Sequence, residues 1–409
     1  MDIEVRVIRD DEFEAFERLD RRAFQFAPEE PEVEESWARG ELDRAFAALV
    51  DGEIVGIGRN YSFDLTVPGG ARVRTGAVSW IGVSPTHRRR GVLTAMMAAL
   101  AADSRDRDEP ASILTASEGS IYRRFGYGTA TDRVGVTIES ARSAFVTTVA
   151  TRSHAGRVRF VEIDEATAMF PAIYEQTRGR VGSVSRPEFW WPTVLFGYPS
   201  KDPRFMVVHE TAGKVDGYAV YLVGGTWSGG VSDRTIEVLD LQAPDTAVHL
   251  ALWRFLLDID LVARVSAGHV AIDDPVRWAL ADPRRFRIAY RNDGLHIRPL
   301  DVAALCSART YVASDVLRFA VDDAQGHRSE FELDAATSTC VPGPCDSRGS
   351  SGREPDLVVA DHVLGAVLLG ARSVTEFVAS GGVTGTAEAV SRADRIFATP
   401  TAPALLTSF

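Results

Sequence analysis

The sequence predicts an α/β (α+β) protein built of three consecutive units, and three observations carry that prediction. The spacing of apolar residues switches repeatedly between the helical period and strict alternation. The element order read over residues 1–148 recurs over 149–296, and a third pattern fills 297–409. At 409 residues the chain also exceeds what one hydrophobic core holds.

The elements follow in order. Phe13, Phe16, Leu19 and Phe24 stand at helical spacing with charges between them, which predicts an amphipathic helix over 11–24. A second helix is expected over 34–43, carrying Trp37 and Leu42. The period then changes to strands over 45–50 and 53–63, turning at Asp51-Gly52, a strong hairpin signal. Pro68-Gly69-Gly70 turns the chain again into a strand over 72–83. A helix over 91–103, a short strand over 112–116, a short helix over 121–125 and a last strand close the first unit.

The second unit repeats this order, with a strand over 158–163, a helix over 165–178, three strands (205–209, 217–223, 234–242) and a helix over 246–258. It has no arginine-rich loop between strand and helix, so it reads as a degenerate duplicate. The third unit has strands over 315–321, 329–333 and 356–359, and helices over 361–370 and 373–380. A Gly/Ser/Pro-rich loop spans 343–352, and the apolar tail 400–409 reads as buried.

Composition bounds the function. A net charge of -12 argues against a nucleic-acid footprint and is compatible with cationic partners. No run approaches the ~20 apolar residues that span a bilayer, so no membrane role is expected. The acidic start, MDIEVRVIRDDEFEAF, has no basic-then-apolar leader pattern, and a cytoplasmic location is the default expectation. Cys306, Cys340 and Cys345 lack neighbouring ligands of suitable spacing, so free thiols and no metal are expected.

The informative stretch is Ser79-Trp-Ile-Gly-Val-Ser-Pro-Thr-His-Arg-Arg-Arg-Gly-Val-Leu93. A strand stops at Val83, a basic loop ends in Gly91, and a helix starts at once. Unsatisfied N–H groups at such a helix start, reinforced by the helix dipole, bind anions. Gly91 lets the backbone approach a ligand, and Arg88, Arg89 and Arg90 add charge. A diphosphate site and a basic surface loop remain equal readings on these residues alone. There is no Gly-Lys-Ser/Thr and no Gly-x-Gly-x-x-Gly, so Walker and dinucleotide loops are excluded.

Val83-x4-Arg88-x-x-Gly91-x-Leu93 resembles the coenzyme A pyrophosphate loop of the GNAT acetyltransferase superfamily, with Leu93 where a small residue is usual. Ile121-Tyr-Arg-Arg-Phe-Gly-Tyr-Gly128 is similar to a segment of the enhanced intracellular survival (Eis) acetyltransferases of actinobacteria. The resemblance implies tandem GNAT folds followed by a sterol-carrier-protein-like domain, in a homohexamer built as a dimer of trimers. It implies acetyl-CoA held by Ile81, Gly82, Val83 and by Arg89, Arg90, Gly91, Val92, Leu93 and Thr94, with Ser117 and Glu118 nearby. Tyr122 would be the general acid toward the departing thiolate, and the carboxylate of Phe409, delivered by the third domain, the base. The acceptors implied are amines of aminoglycoside or lysine type.

That chemistry is coherent. A lysine-like amine is almost wholly protonated at neutral pH and attacks a thioester only after losing a proton. A solvated terminal carboxyl, with a pKa near ~3.5, is a feeble base, and apolar surroundings such as 402–406 raise it. Tyr122 and Tyr127 compete for the acid's role, and only the resemblance favours Tyr122. Phe24, Phe26, Trp37 and Trp80 are candidates to line an acceptor pocket and read equally as core. Glu29, Glu30, Glu32, Glu34 and Glu35 could meet a cationic acceptor, although a solvated helix cap is the plainer reading. Ser408 stands where an acid would help bind one, and His87 reads as a surface residue of the basic loop. The competing function is a lipid- or sterol-binding protein, or an acyl-CoA sensor, with a non-catalytic acetyltransferase relic.

Overall fold

A computed structural model describes residues 2–25, 40–150, 156–197, 200–343 and 354–409. Phe26, Trp37, the five glutamates of 29–35, Cys345 and most of the helix expected over 34–43 lie outside the described residues. The chain divides into two compact units. The first contains Met1–Thr131, Asp293–Pro400 and Phe409; the second contains Asp132–Asn292 and Thr401–Ser408.

In the first unit, β1 (Glu4–Val7), β2 (Ala45–Val50), β3 (Glu53–Thr66) and β4 (Arg72–Val83) form an antiparallel meander. The helix α1 (Phe13–Phe24) lays Phe16 and Leu19 on this sheet beside Ile57. From β4 the chain crosses through α2 (Val92–Asp106) to β5 (Ala111–Thr115), which runs parallel to β4. A buried guanidinium holds that crossover in place: Arg44 donates to Asp103 and to Glu109, each at 2.7 Å, and to Ser62 Oγ at 2.8 Å. Such a pair persists because every charge in it is answered.

Two strands differ from the sequence reading. Asp132–Glu139, read as the last strand of the first unit, is hydrogen-bonded to Val262–Val270 in the second sheet. Leu295–Pro299 sits in the first sheet, between β5 and β6 (Gly128–Thr129). Period-2 alternation marks a strand without naming its neighbour, so these pairings were not legible.

The rest of the first unit is a five-stranded sheet ordered Thr339–Pro342, Arg328–Asp334, Val316–Asp322, Leu357–Ala360, Val383–Gly385. Its helix Asp361–Val367 packs against β6 and the strand Leu295–Pro299. The packing is backbone on backbone: a Cβ on Gly128 would lie 1.7 Å from His362 O, and one on Gly365 would lie 2.1 Å from Ile297 O. The helix expected over 373–380 shrinks to one 3₁₀ turn, Val374–Phe377. A helix the reading missed, Ala387–Phe397, buries Ala389, Val390, Ala393, Ile396 and Phe397 and is capped by Thr386.

The second unit repeats the crossover. Arg234–Gln242 and Val262–Val270 are parallel neighbours joined by the helix Thr246–Leu257, inside a seven-stranded sheet. The tail lies here: Pro403, Ala404, Leu405 and Thr407 are buried, and Ala404 N donates to Val181 O at 2.9 Å.

Candidate active site

The site begins where two strands part. β4 pairs with β5 only at Thr75–Ala77 against Ala111–Ile113, although β4 continues to Val83 along β3. Beyond Ala77 the two strands diverge, so the β5-facing edge of β4 carries main-chain groups outside that ladder. The divergence is sharpened by a register shift in the β3–β4 pairing between Ile57 and Arg59, next to Trp80 at φ 56. A non-glycine residue in that region is strained and marks a bulge that re-aims the strand.

A cavity of about 710 Å³ opens at this gap. Ile81, Gly82 and Val83 form one wall. The turn Pro85–His87 then leads to Arg89 at φ 61 and Gly91 at φ 88, and α2 starts directly after. No side chain caps α2 at Gly91, so its first-turn N–H groups at Val92, Leu93 and Thr94, all at the cavity wall, are aimed outward with the positive end of the dipole. Arg88 and Arg89 line the same wall and are exposed. Arg90 is exposed too but lies outside the cavity lining.

The opposite wall comes from the segment after β5. Ser117, Glu118, Ile121 and Tyr122 line it, and so does Arg124, which the sequence reading passed over. His87, read there as a surface residue, also lines the cavity, its Nδ1 2.9 Å from Thr86 Oγ1. Tyr122 is 6% exposed. Burial first, then the neighbouring Tyr127 and Glu118, push its hydroxyl up to about 12, so it holds its proton at neutral pH. Tyr127 sits edge-on to Tyr122, with centroids 6.1 Å apart. Its hydroxyl bonds Ser112 Oγ at 2.7 Å, fully buried, and it does not line the cavity.

The remaining candidates are spread wider. Phe24 reaches the cavity. Trp80 stands beside Phe16 in the α1 core, with centroids 6.0 Å apart. Phe409 packs edge-on against Phe63 of β3 at 5.1 Å, and one of its main-chain oxygens accepts from Thr115 Oγ1, at the end of β5, at 3.4 Å. Ser408 Oγ lies 3.1 Å from His269 Nε2. Among the described residues no group of three or more His, Cys, Asp or Glu side chains is placed to hold a metal, and Cys306 and Cys340 are free thiols. Among the described residues no helix is long and apolar enough to cross a membrane.

Comparison with known proteins matches this architecture part by part. Two acetyltransferase (GNAT) domain families match residues 4–130 and 182–298, and the sterol carrier protein domain family matches 302–406. An uncharacterized N-acetyltransferase of Streptomyces avermitilis is 34% identical over 94% of this chain and 93% of its own. The N-acetyltransferase Eis of Mycobacterium tuberculosis is 33% identical over 85% and 83%. The crystal structure of Eis1 from Mycobacterium abscessus superposes with a TM-score of 0.87 at 33% identity, covering all of both chains. A GCN5-related N-acetyltransferase from Anabaena variabilis shares the fold at a TM-score of 0.84 and 16% identity. Two GNAT folds followed by a sterol-carrier-like domain, at this identity over nearly the whole length, place the chain in the Eis-like family of GNAT N-acetyltransferases, enzymes that use acetyl-CoA to acetylate amines.

Proposed function

We propose that the gap between β4 and β5 binds acetyl-CoA and that the acetyl group passes directly to a primary amine of a cationic acceptor, of aminoglycoside or lysine type. The observation that carries this is the cavity itself: an unladdered strand edge, the uncapped start of α2 and Tyr122 share one wall system. The edge of Ile81–Val83 offers amide-like partners to an extended pantetheine arm, and the α2 start with Arg88 and Arg89 suits the pyrophosphate. The net charge of -12 favours cationic acceptors.

In the reaction, the acceptor nitrogen forms a bond to the acetyl carbon and the carbon–sulfur bond breaks. The nitrogen's proton goes to the carboxylate of Phe409, the last residue of this sequence. The thiolate takes the Tyr122 hydroxyl proton, and both groups then re-equilibrate with water. Phe63 and Thr115 against Phe409 support the base assignment, since they hold it at the end of β5. Family resemblance extends the proposal to a homohexamer, which sedimentation would test.

The test of the base is a chain lengthened by a few residues beyond Phe409, which turns the carboxylate into a neutral amide. Turnover with acetyl-CoA and an aminoglycoside is expected to fall by at least ~100-fold with the fold intact. Unchanged turnover would remove Phe409 from the mechanism.

A further inference from the structure

At one edge of the five-stranded sheet of the first unit, two buried thiols stand together and take no part in the proposed chemistry. The edge strand Thr339–Pro342 pairs on one side only, with Arg328–Asp334. Its alternation turns Cys340 inward, 5% exposed, between the exposed Thr339 and Val341. The helix Val302–Ala308 packs on this strand and brings Cys306 to it, fully buried. Ser307 fixes the approach: its Oγ accepts from Cys340 N at 2.9 Å and donates to Cys340 O at 3.3 Å. The residue before it is thereby held against Cys340, and the Cys340 thiol hydrogen-bonds the Cys306 sulfur. Tyr311 Oη pins the main chain of Cys306, donating to its carbonyl at 2.7 Å.

Joining the two residues asks their sulfurs to close from contact to about 2 Å. The surroundings favour that step. The hydrogen bond from Cys340 holds the Cys306 thiol below its ordinary value, against the opposing effect of burial, and the Arg309 guanidinium adds to the lowering. Arg309 is 1% exposed, and among the described residues it has no carboxylate partner; its hydrogen bonds go to the main-chain oxygens of Leu368, Phe397 and Thr310. A buried cation without a counter-ion favours an anion beside it, here the Cys306 thiolate. A small oxidant reaches the pair when the edge strand opens locally, since one ladder alone holds that strand in the sheet.

We propose that Cys306 and Cys340 are a redox-modification site, a reversible disulfide that clips the helix Val302–Ala308 to the edge strand Thr339–Pro342. With hydrogen peroxide as the oxidant, the Cys306 thiolate attacks one peroxide oxygen, the O–O bond breaks, and the departing hydroxide leaves as water with the thiol's proton. The Cys340 sulfur then attacks the sulfenic acid formed on Cys306; the S–O bond breaks and a second water carries off the Cys340 proton. Two thiols have lost two electrons, and the peroxide has become two waters. A dithiol reductant reverses the bond.

The test uses Cys345→Ser, because Cys340 and Cys345 fall in one tryptic peptide. Treated with hydrogen peroxide in the folded state, this chain is expected to lose both remaining thiols, and its tryptic map to show the Cys306 peptide joined to the Cys340 peptide. Dithiothreitol should return both thiols. Amide exchange over the edge strand should slow at least ~10-fold in the oxidised chain, because the cross-link holds the strand to the helix. Thiols that survive peroxide in the folded chain, or that stop at sulfinic acid without a cross-link, overturn the disulfide. A cross-linked chain whose edge strand exchanges as fast as the reduced one overturns the clip. Should Cys345→Ser fail to fold, the native chain takes its place: its three thiols should fall to one, with alkylation marking Cys345 as the survivor. Alkylation at Cys306 instead, which pairs Cys340 with Cys345, overturns the proposal.

Discussion

Gly128→Ala is expected to be among the most damaging single methyl additions in this protein. The new Cβ would stand 1.7 Å from His362 O and 2.6 Å from Ala366 N, both main-chain atoms of the helix Asp361–Val367. Relief of such an overlap needs the helix to retreat by about 1.5 Å, since backbone atoms cannot rotate aside as a side chain does. The helix is not free to retreat. Its Val363, Leu364, Ala366 and Val367 are all at most 2% exposed, so a retreat would disturb packing along the whole helix. Overpacking in cores costs ~1–3 kcal/mol, and an overlap against backbone belongs at or above the top of that range, so a loss of about 3–5 kcal/mol is expected. Urea unfolding would measure it, reading the first transition because a multidomain chain need not unfold in one step. Gly52→Ala is the control: its φ is +83 but nothing lies within 4 Å, so only backbone strain of ~1–2 kcal/mol is expected. If Gly128→Ala costs no more than this control, the helix docks with slack and the close-approach argument is wrong.

Three further outcomes follow from named contacts. Tyr122→Phe should lower kcat by at least ~10-fold with KM for acetyl-CoA unchanged, less than the usual general-acid effect because a thiolate leaves readily; equal kcat would dismiss the tyrosine as acid. Gly91→Ala places a side chain at φ 88 in the α2 cap, so KM for acetyl-CoA should rise several-fold while kcat at saturation holds; an unchanged KM would dissociate that cap from donor binding. Asp20 is pushed up to about 6, first by burial and then by Glu17. Its folded form therefore binds a proton that the unfolded chain releases near pH 4, and stability falls as pH rises between the two values. Asp20→Asn should stabilise by about 1 kcal/mol above pH 6, after discounting for partial solvent contact, with the gain gone below pH 4 in thermal melts.

What was legible in the sequence was local. The strand Arg72–Val83 and the helix from Val92 stand where the alternation and Gly91 put them, because both signals are written in consecutive residues. The missed helix Ala387–Phe397 was also legible: Thr386 three residues before Ala389, then apolar residues at helical spacing, is an ordinary start signal. The pairings of Asp132–Glu139 and Leu295–Pro299 were not, since their partners lie more than a hundred residues away. Nor was the reason for Gly126 and Gly128. In the fold a Cβ at either would strike the helix Asp361–Val367, at Asp361 Oδ2 for Gly126 and at main chain for Gly128.

The two tyrosines show most clearly what sequence cannot decide. Tyr122 and Tyr127 share one short motif and equal chemistry, and spacing ranks neither. Their surroundings divide them. Tyr127 Oη is spent on Ser112 and fully buried, so any proton it gave up would have to leave through a closed contact. Tyr122 keeps its ring in the same apolar cluster but turns a face to the cavity wall, where a sulfur leaving group could meet it. The motif's glycines seat the segment on the helix Asp361–Val367, and that seat fixes which ring faces inward. If this is the correct division, Tyr127→Phe should cost stability by about 1 kcal/mol through the lost Tyr127–Ser112 hydrogen bond, Ser112 Oγ keeping Gly76 O as its acceptor, while kcat stays near wild type. A kcat loss matching that of Tyr122→Phe, at unchanged stability, would reverse the assignment.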